Sequence, residues 1–209
     1  MTLPTLTRRM AIGLGMAALA AGSPRAQTVA ALAPIQSLNL GLLAIMRAGK
    51  AAPFAQRLQM LAPAVDQAFD LDAILQAVVG PRWSGFSEAD KAGLRMEFRR
   101  FTIASWVANF DSFNGEIFTI QPMPRPLDDG ALVVETQFAV PGGNPVGLSY
   151  VMRQTGLSWR AVDILAEGTI SRVAVMRSDF RQVLAQGGGA ALVARLREKN
   201  AALNAGTTG

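Results

Sequence analysis

The hydrophobic period of this 209-residue chain changes twice, and those two changes constrain its fold more than any other feature. Four strand-length segments, Glu116 to Met123, Ala131 to Val140, Val146 to Gln154 and Ser158 to Ala166, are rich in β-branched and aromatic residues. Turn-forming runs separate them, namely Asp128-Asp129-Gly130, Pro141-Gly142-Gly143-Asn144-Pro145 and Thr155-Gly156, and this spacing predicts a four-stranded antiparallel meander. Within it Leu132, Val134, Phe138 and Val140 alternate with Glu135 and Gln137. Val146, Leu148, Tyr150 and Met152 alternate with Gly147, Ser149 and Arg153, so one sheet face is apolar throughout.

Helical periodicity occupies both flanks. A helix is expected from Ile35 to Met46 after Pro34, and a second from Phe54 towards Phe69, opened by Pro53 and kinked or split by Pro63. Asp70 is a good N-cap for a short helix from Leu71 to Val79, which Gly80-Pro81 stops. Ser87 with Asp90 resembles a capping box that opens the longest helix, about Glu88 to Phe113. After Gly168, Ser171 caps a helix to about Ala185, the glycines at 187–189 break it, and a last helix runs from about Ala190 to Leu203. Helices before and after a continuous antiparallel sheet give an α+β class in which the helices cover the apolar face. A curved sheet so covered is a natural container.

The N-terminus carries Arg8 and Arg9, a twelve-residue apolar run from Met10 to Ala21 and small residues up to Ala26. This is an export signal. The run is shorter than the roughly 20 residues that span a bilayer, and cleavage is expected between about Ala21 and Gln27. Either the general secretory or the twin-arginine route fits, and both end outside the cytoplasm. Residues 27–209 then form one domain by size. Loss of Arg8, Arg9 and Arg25 reduces twenty cations to seventeen against fifteen acids, and the net charge from +5 to +2. Such a balance argues against nucleic acid as partner.

Cysteine and histidine are both absent. No disulfide framework, thiol nucleophile, lipid-anchor cysteine, imidazole base or usual zinc ligand is therefore available, and neither a metal nor a cofactor is expected. Half of the residues are hydrophobic, which demands a large core or a cavity. Asp163 and Glu167, at the end of the last strand, could serve as a general base if buried, or pair with Arg160 or Arg172 as structural acids. Asp128 and Asp129 are turn residues. Gly147-Leu148-Ser149-Tyr150-Val151 lacks the closing glycine of a nucleophile elbow, so Ser149 reads as an outward strand residue. Ser87 and Lys91 are within reach on a helix, yet capping already accounts for Ser87. Arg99-Arg100 and Arg195, Arg197, Glu198 and Lys199 read as solvated helix faces or, alternatively, a docking surface.

The aromatics weigh differently. Trp106, Phe110 and Phe113 are expected on one side of the long helix, facing Phe138, Tyr150 and Trp159 of the sheet. Core packing explains most such residues. An exported, apolar domain without catalytic groups also has the character of a carrier for an apolar ligand.

The stretch Leu61-Ala-Pro-Ala-Val65, then Phe69-Asp70, Val79-Gly80 and Trp83 begins a collinear pattern that Phe98 through Gly115, Trp159-Arg-Ala-Val-Asp163-Ile164, Glu167-Gly168, Ser171 and Arg177 to Phe180 complete. This pattern resembles the periplasmic phospholipid-binding component of Mla and toluene-tolerance ABC transport systems. Within that superfamily, residues 102–111 with Asn114-Gly-Glu116 are most similar to the branch associated with hopanoid biosynthesis, with Trp106 where a tyrosine is expected. The resemblance implies a non-catalytic shuttle for phospholipid or a hopanoid-related lipid. It also implies two partners, an outer-membrane donor complex and an inner-membrane ABC transporter with its lipid-binding subunit. The expected lipid-contacting residues are Trp106, Phe110, Phe113, Val134, Phe138, Leu148, Tyr150, Met152, Trp159 and Ile164. Two rivals stay open: a cone-shaped α+β isomerase or dehydratase using Asp163, and a structural adaptor whose pocket is a filled core.

Overall fold

The computed structural model describes residues 24–206, so the predicted export signal lies almost wholly outside the described residues. Four helices come first: α1 (Pro24–Ala48), α2 (Phe54–Ala68), α3 (Leu71–Val79) and α4 (Glu88–Asn109). The strands follow as β1 (Ile117–Ile120), β2 (Arg125–Pro126), β3 (Leu132–Ala139), β4 (Val146–Thr155), β5 (Ser158–Ala166) and β6 (Ile170–Ser171), and α5 (Arg172–Asn204) closes the chain. The sheet is antiparallel in the order β1-β3-β4-β5-β6, with β2 beside β3. It therefore has six strands where the alternation predicts four. The extra two are two residues long, too short to leave a period in the sequence.

Side-chain caps start the helices where expected. Asp70 accepts from the Ala73 N–H at 3.0 Å, Ser87 from the Asp90 N–H at 3.1 Å and Ser171 from the Ala174 N–H at 3.0 Å. The prolines behave otherwise than predicted, since α1 runs through Pro34 and α2 through Pro63 without splitting. In α1 the fully buried stripe Ala31, Ile35, Leu38, Leu42 and Ile45 continues past Pro34, and in α2 Leu61, Val65 and Ala68 straddle Pro63. A proline inside a helix costs about 3 kcal/mol, whereas each large side chain so buried contributes about 1.5–3 kcal/mol, and the stripe wins. Val29–Ala51 is long and apolar enough to cross a membrane, but half of its apolar 18-residue window is buried in this fold. The glycine run kinks α5 as expected: Gly188 has φ +61°, and a Cβ on Gly189 would sit 2.9 Å from the Asp90 side chain.

One face of the sheet carries the helices. Phe69, between α2 and α3, bridges to Ala161, and the Asp70 N–H donates to the Ala161 carbonyl at 2.9 Å while the Thr155 hydroxyl donates to the Asp70 carboxylate at 3.0 Å. The α2–α3 corner is thus fixed to β5 and to the end of β4. Between α4 and α5, Glu97 is buried and accepts from Arg197 Nε at 2.9 Å and Asn200 Nδ2 at 3.0 Å. Arg197 is accordingly an inter-helix contact, and Lys199 lies over the Phe101 ring, so neither belongs to a merely solvated face. Arg99 likewise pairs with Asp66 of α2 through two bonds of 2.7 Å.

Candidate functional site

The helix-facing side of the sheet is not uniformly covered. In β4, Met152 and Tyr150 are fully buried, Leu148 is half-buried and Val146 is 43 % exposed. In β3 the same progression runs from Val134 through Phe138 to the exposed Val140 just beyond the strand, and in β5 from Trp159 and Ala161 to Ile164 and Ala166. Register places these residues side by side: Tyr150 pairs with Val134 and Ile164, Leu148 with Thr136 and Ala166, and Val146 with Phe138. Cover is lost towards one end, the mouth of this apolar face.

A β-bulge makes this face continuous. By strict alternation Trp159 and Ile164 would point to opposite faces, because one number is odd and the other even. The register shifts at Val151/Met152, where Met152 pairs with Ala161 and Val151 with Asp163, so Val162 is the extra residue. Both Trp159 and Ile164 therefore face the helices.

Aromatic rings line the interface from centre to mouth. Centroid separations are 6.1 Å for Tyr150–Phe69, 6.1 Å for Phe69–Trp106, 5.4 Å for Trp106–Phe110 and 5.3 Å for Phe110–Phe138, with Phe118 against both phenylalanines. Between α3, α4, β5 and the start of α5 lies a small, partly open space of about 50 Å³, bounded by Phe69, Ile74, Phe98, Trp106, Ile164 and Met176 among others. That is well below the roughly 300–1,000 Å³ of an ordinary ligand pocket, so it has no room for an acyl chain in this conformation.

The ten expected lipid-contacting residues thus fall into three groups. Trp106, Phe110, Phe138, Leu148 and Ile164 are half-buried around the mouth, while Val134, Tyr150, Met152 and Trp159 form the closed core below it. Phe113 belongs to neither, because α4 ends at Asn109 rather than Phe113. It is 38 % exposed and lies 5.0 Å beneath the Arg47 guanidinium, beside the Lys50–Asp111 ion pair. Sequence periodicity overlooks Phe69, which belongs to no helix stripe. The available signal is the Asp70 cap, since the residue before a cap packs on the fourth helical residue, here Ile74, and both line the space.

The polar candidates have structural partners. Asp163 Oδ1 accepts from the Ile164 N–H at 2.7 Å and the Val173 N–H at 3.1 Å, and Oδ2 from the Ser171 hydroxyl at 2.5 Å. Its carboxylate anchors the first turn of α5 and pairs with neither Arg160 nor Arg172, contrary to the expected ion pair. Glu167 is exposed in the β5–β6 turn. The Ala131 N–H and the Arg153 guanidinium bind Asp129 and hold its carboxyl below the usual carboxylate range. Ser149 faces outward by register yet is buried, flanked in the sheet by Glu135 and Leu165. Lys91 meets Glu88 at 2.8 Å rather than Ser87. The Tyr150 hydroxyl is buried without a hydrogen-bond partner, and burial pushes its phenol pKa up.

Comparison with known proteins places this architecture. The structure is similar to that of the phospholipid-binding protein from Ralstonia solanacearum, which was solved in complex with a phospholipid. The TM-score is 0.71 at 21 % sequence identity, covering 83 % of this chain and 98 % of that one, so the two share a fold. No curated protein matches the chain. Residues 36–198 match the model of the MlaC protein family, and the chain belongs to that family.

Proposed function

We propose that this protein is a periplasmic carrier that holds the acyl chains of a phospholipid or hopanoid-related lipid between its helices and sheet, with the headgroup left outside at the mouth. The loss of cover over an otherwise apolar face, towards Phe118, Phe138, Leu148 and Ala166, is the observation that carries this reading. Burial of a methylene contributes about 0.8 kcal/mol, so a sixteen-carbon tail resists water by roughly 13 kcal/mol and does not cross an aqueous space alone. Exchange from bilayer to apolar interior keeps the tail in apolar surroundings, and it needs no chemical step. A space of only about 50 Å³ supports entry of lipid by separation of helices from sheet at the mouth.

The carrier works on this reading between an outer-membrane donor complex and an inner-membrane ABC transporter with its lipid-binding subunit. Export by a Sec or twin-arginine signal, cleaved between about Ala21 and Gln27, delivers residues 27–209 as one domain. Native mass spectrometry of the exported, detergent-free protein tests the proposal and its processing together. Expected are a shortened N-terminus and mass increments of a phospholipid or hopanoid. Protein that is lipid-free as exported, and stays so after incubation with phospholipid vesicles, would exclude the carrier function.

A further inference from the structure

A groove of about 270 Å³ runs between the C-terminal end of α3, the turn at Gly80–Gly85 and α5. Its floor is apolar, from Val78, Val79 and Leu184, and its charged residues are Arg82, Arg177 and Arg181, with no acid among them. Among the described residues none of these arginines has a carboxylate within ion-pair distance. The neighbouring rim of α4 is built differently, for Arg95 and Arg99 there are matched one to one by Asp72 and Asp66. Arg177 Nε and Nη2 donate to the Ala77 carbonyl at 2.9 and 2.5 Å. That pairing neutralises the carbonyl end of α3, which would otherwise repel an anion, and holds one guanidinium at the groove while leaving its other N–H donors free.

Three like charges around one concavity repel each other unless an anion sits between them, and guanidinium forks match phosphate oxygens in geometry. The apolar floor adds a requirement for an amphiphile. We propose that this groove seats the phosphate of an anionic lipid headgroup at a bilayer surface, so that the protein touches membrane through Arg82, Arg177 and Arg181. The dimensions favour a headgroup over an acidic protein segment, since the arginines converge on one groove smaller than a typical ligand pocket instead of forming a stripe. The groove shares no lining residue with the interior space, yet Met176 and Arg177 are consecutive in α5, so a membrane seated at the groove lies beside the interior site.

Flotation of the mature protein with vesicles tests this, using phosphatidylcholine alone and phosphatidylcholine with about one third phosphatidylglycerol, at low salt and at about 0.15 M. Wild type is expected to float with the anionic vesicles, more weakly as salt rises, and not with the neutral ones. An arginine at an anionic surface is worth roughly a fivefold change in partition, so Arg82→Ala with Arg181→Ala together should lower it about 30-fold. Both side chains are exposed and unpaired, so the melting temperature should stay constant, and Arg177 is left in place because it supports α3. The charge-matched control Arg125→Ala with Arg195→Ala should float like wild type. Equal losses in both double variants would reduce the effect to diffuse net charge and overturn the proposal, as would a wild type that ignores anionic vesicles while engaging an acidic partner protein. Full competition by micromolar inorganic phosphate would make the groove a free-phosphate site, and that too defeats the membrane assignment. Interior lipid, followed by native mass spectrometry, should be unchanged in the groove variant. The carrier reading and this one therefore fail separately.

Discussion

Tyr150→Phe should stabilise the lipid-free protein. The ring is fully buried on β4 and packs on Phe69, but its hydroxyl has no partner. A buried polar group left unsatisfied costs about 1–3 kcal/mol, and phenylalanine removes the group while leaving a void the size of one oxygen, so the net gain is expected near 1 kcal/mol. In a domain of this size that raises the melting temperature by about 2–4 °C. The same burial predicts a pH signature. A phenol whose pKa is higher folded than unfolded contributes stability that is fully present below its ordinary value near 10 and is lost as pH rises above it. Wild-type stability should therefore fall faster than that of the variant above about pH 10, by up to about 1.4 kcal/mol per pH unit. The chain has one tyrosine, so phenolate absorbance reports on Tyr150 alone. A variant less stable than wild type, or a phenol that ionises near pH 10 while the protein stays folded, would refute the closed, dry core.

Leu148→Trp, at the half-buried mouth, should reduce bound lipid with little loss of stability; undiminished lipid with a penalty of about 1–3 kcal/mol would assign Leu148 to the core instead, read from mass spectra and melts on one preparation. Asp163→Asn should lower stability by about 1 kcal/mol through the first turn of α5, measured by urea denaturation, and loss of a phospholipid turnover on this change would restore the isomerase or dehydratase reading. Glu97→Ala leaves the Asn200 amide buried without its side-chain acceptor and should cost about 1–3 kcal/mol in the same assay, whereas Glu198→Ala, at an exposed pair, should cost under about 1 kcal/mol.

Much of this architecture was legible because it depends on short-range rules. β5 occupies Ser158–Ala166 as predicted, and Asp70, Ser87 and Ser171 cap the helices assigned to them, since alternation and capping are properties of a few adjacent residues. Long-range packing accounts for the misses. Pro34 and Pro63 do not interrupt their helices because the buried stripes on either side need the helix to continue, and α4 ends before Phe113 although apolar residues do not. The bulge at Val162 is invisible to a period-two count, yet it brings Trp159 and Ile164 to one face. The apolar face and most of its rings could be read from the sequence. The gradient of cover along it depends on how α1, α2, α3 and α5 pack on the sheet, which no local pattern encodes.

The attachment of the α2–α3 corner to β5 has a mechanical consequence. Two bonds through Asp70 and the bridge from Phe69 to Ala161 fasten helices to sheet at the covered end, and Ala166 lies five residues further along β5, about 16 Å at the rise of an extended strand. A fulcrum at Asp70 gives that length leverage. Tilting the helical layer by about 15° would part it from the sheet by about 4 Å at Ala166, the contact distance of one carbon on another, while the closed core nearer the fulcrum moves by far less. The aperture through which a hydrocarbon chain slips can thus widen and shut at one end without unpacking the other.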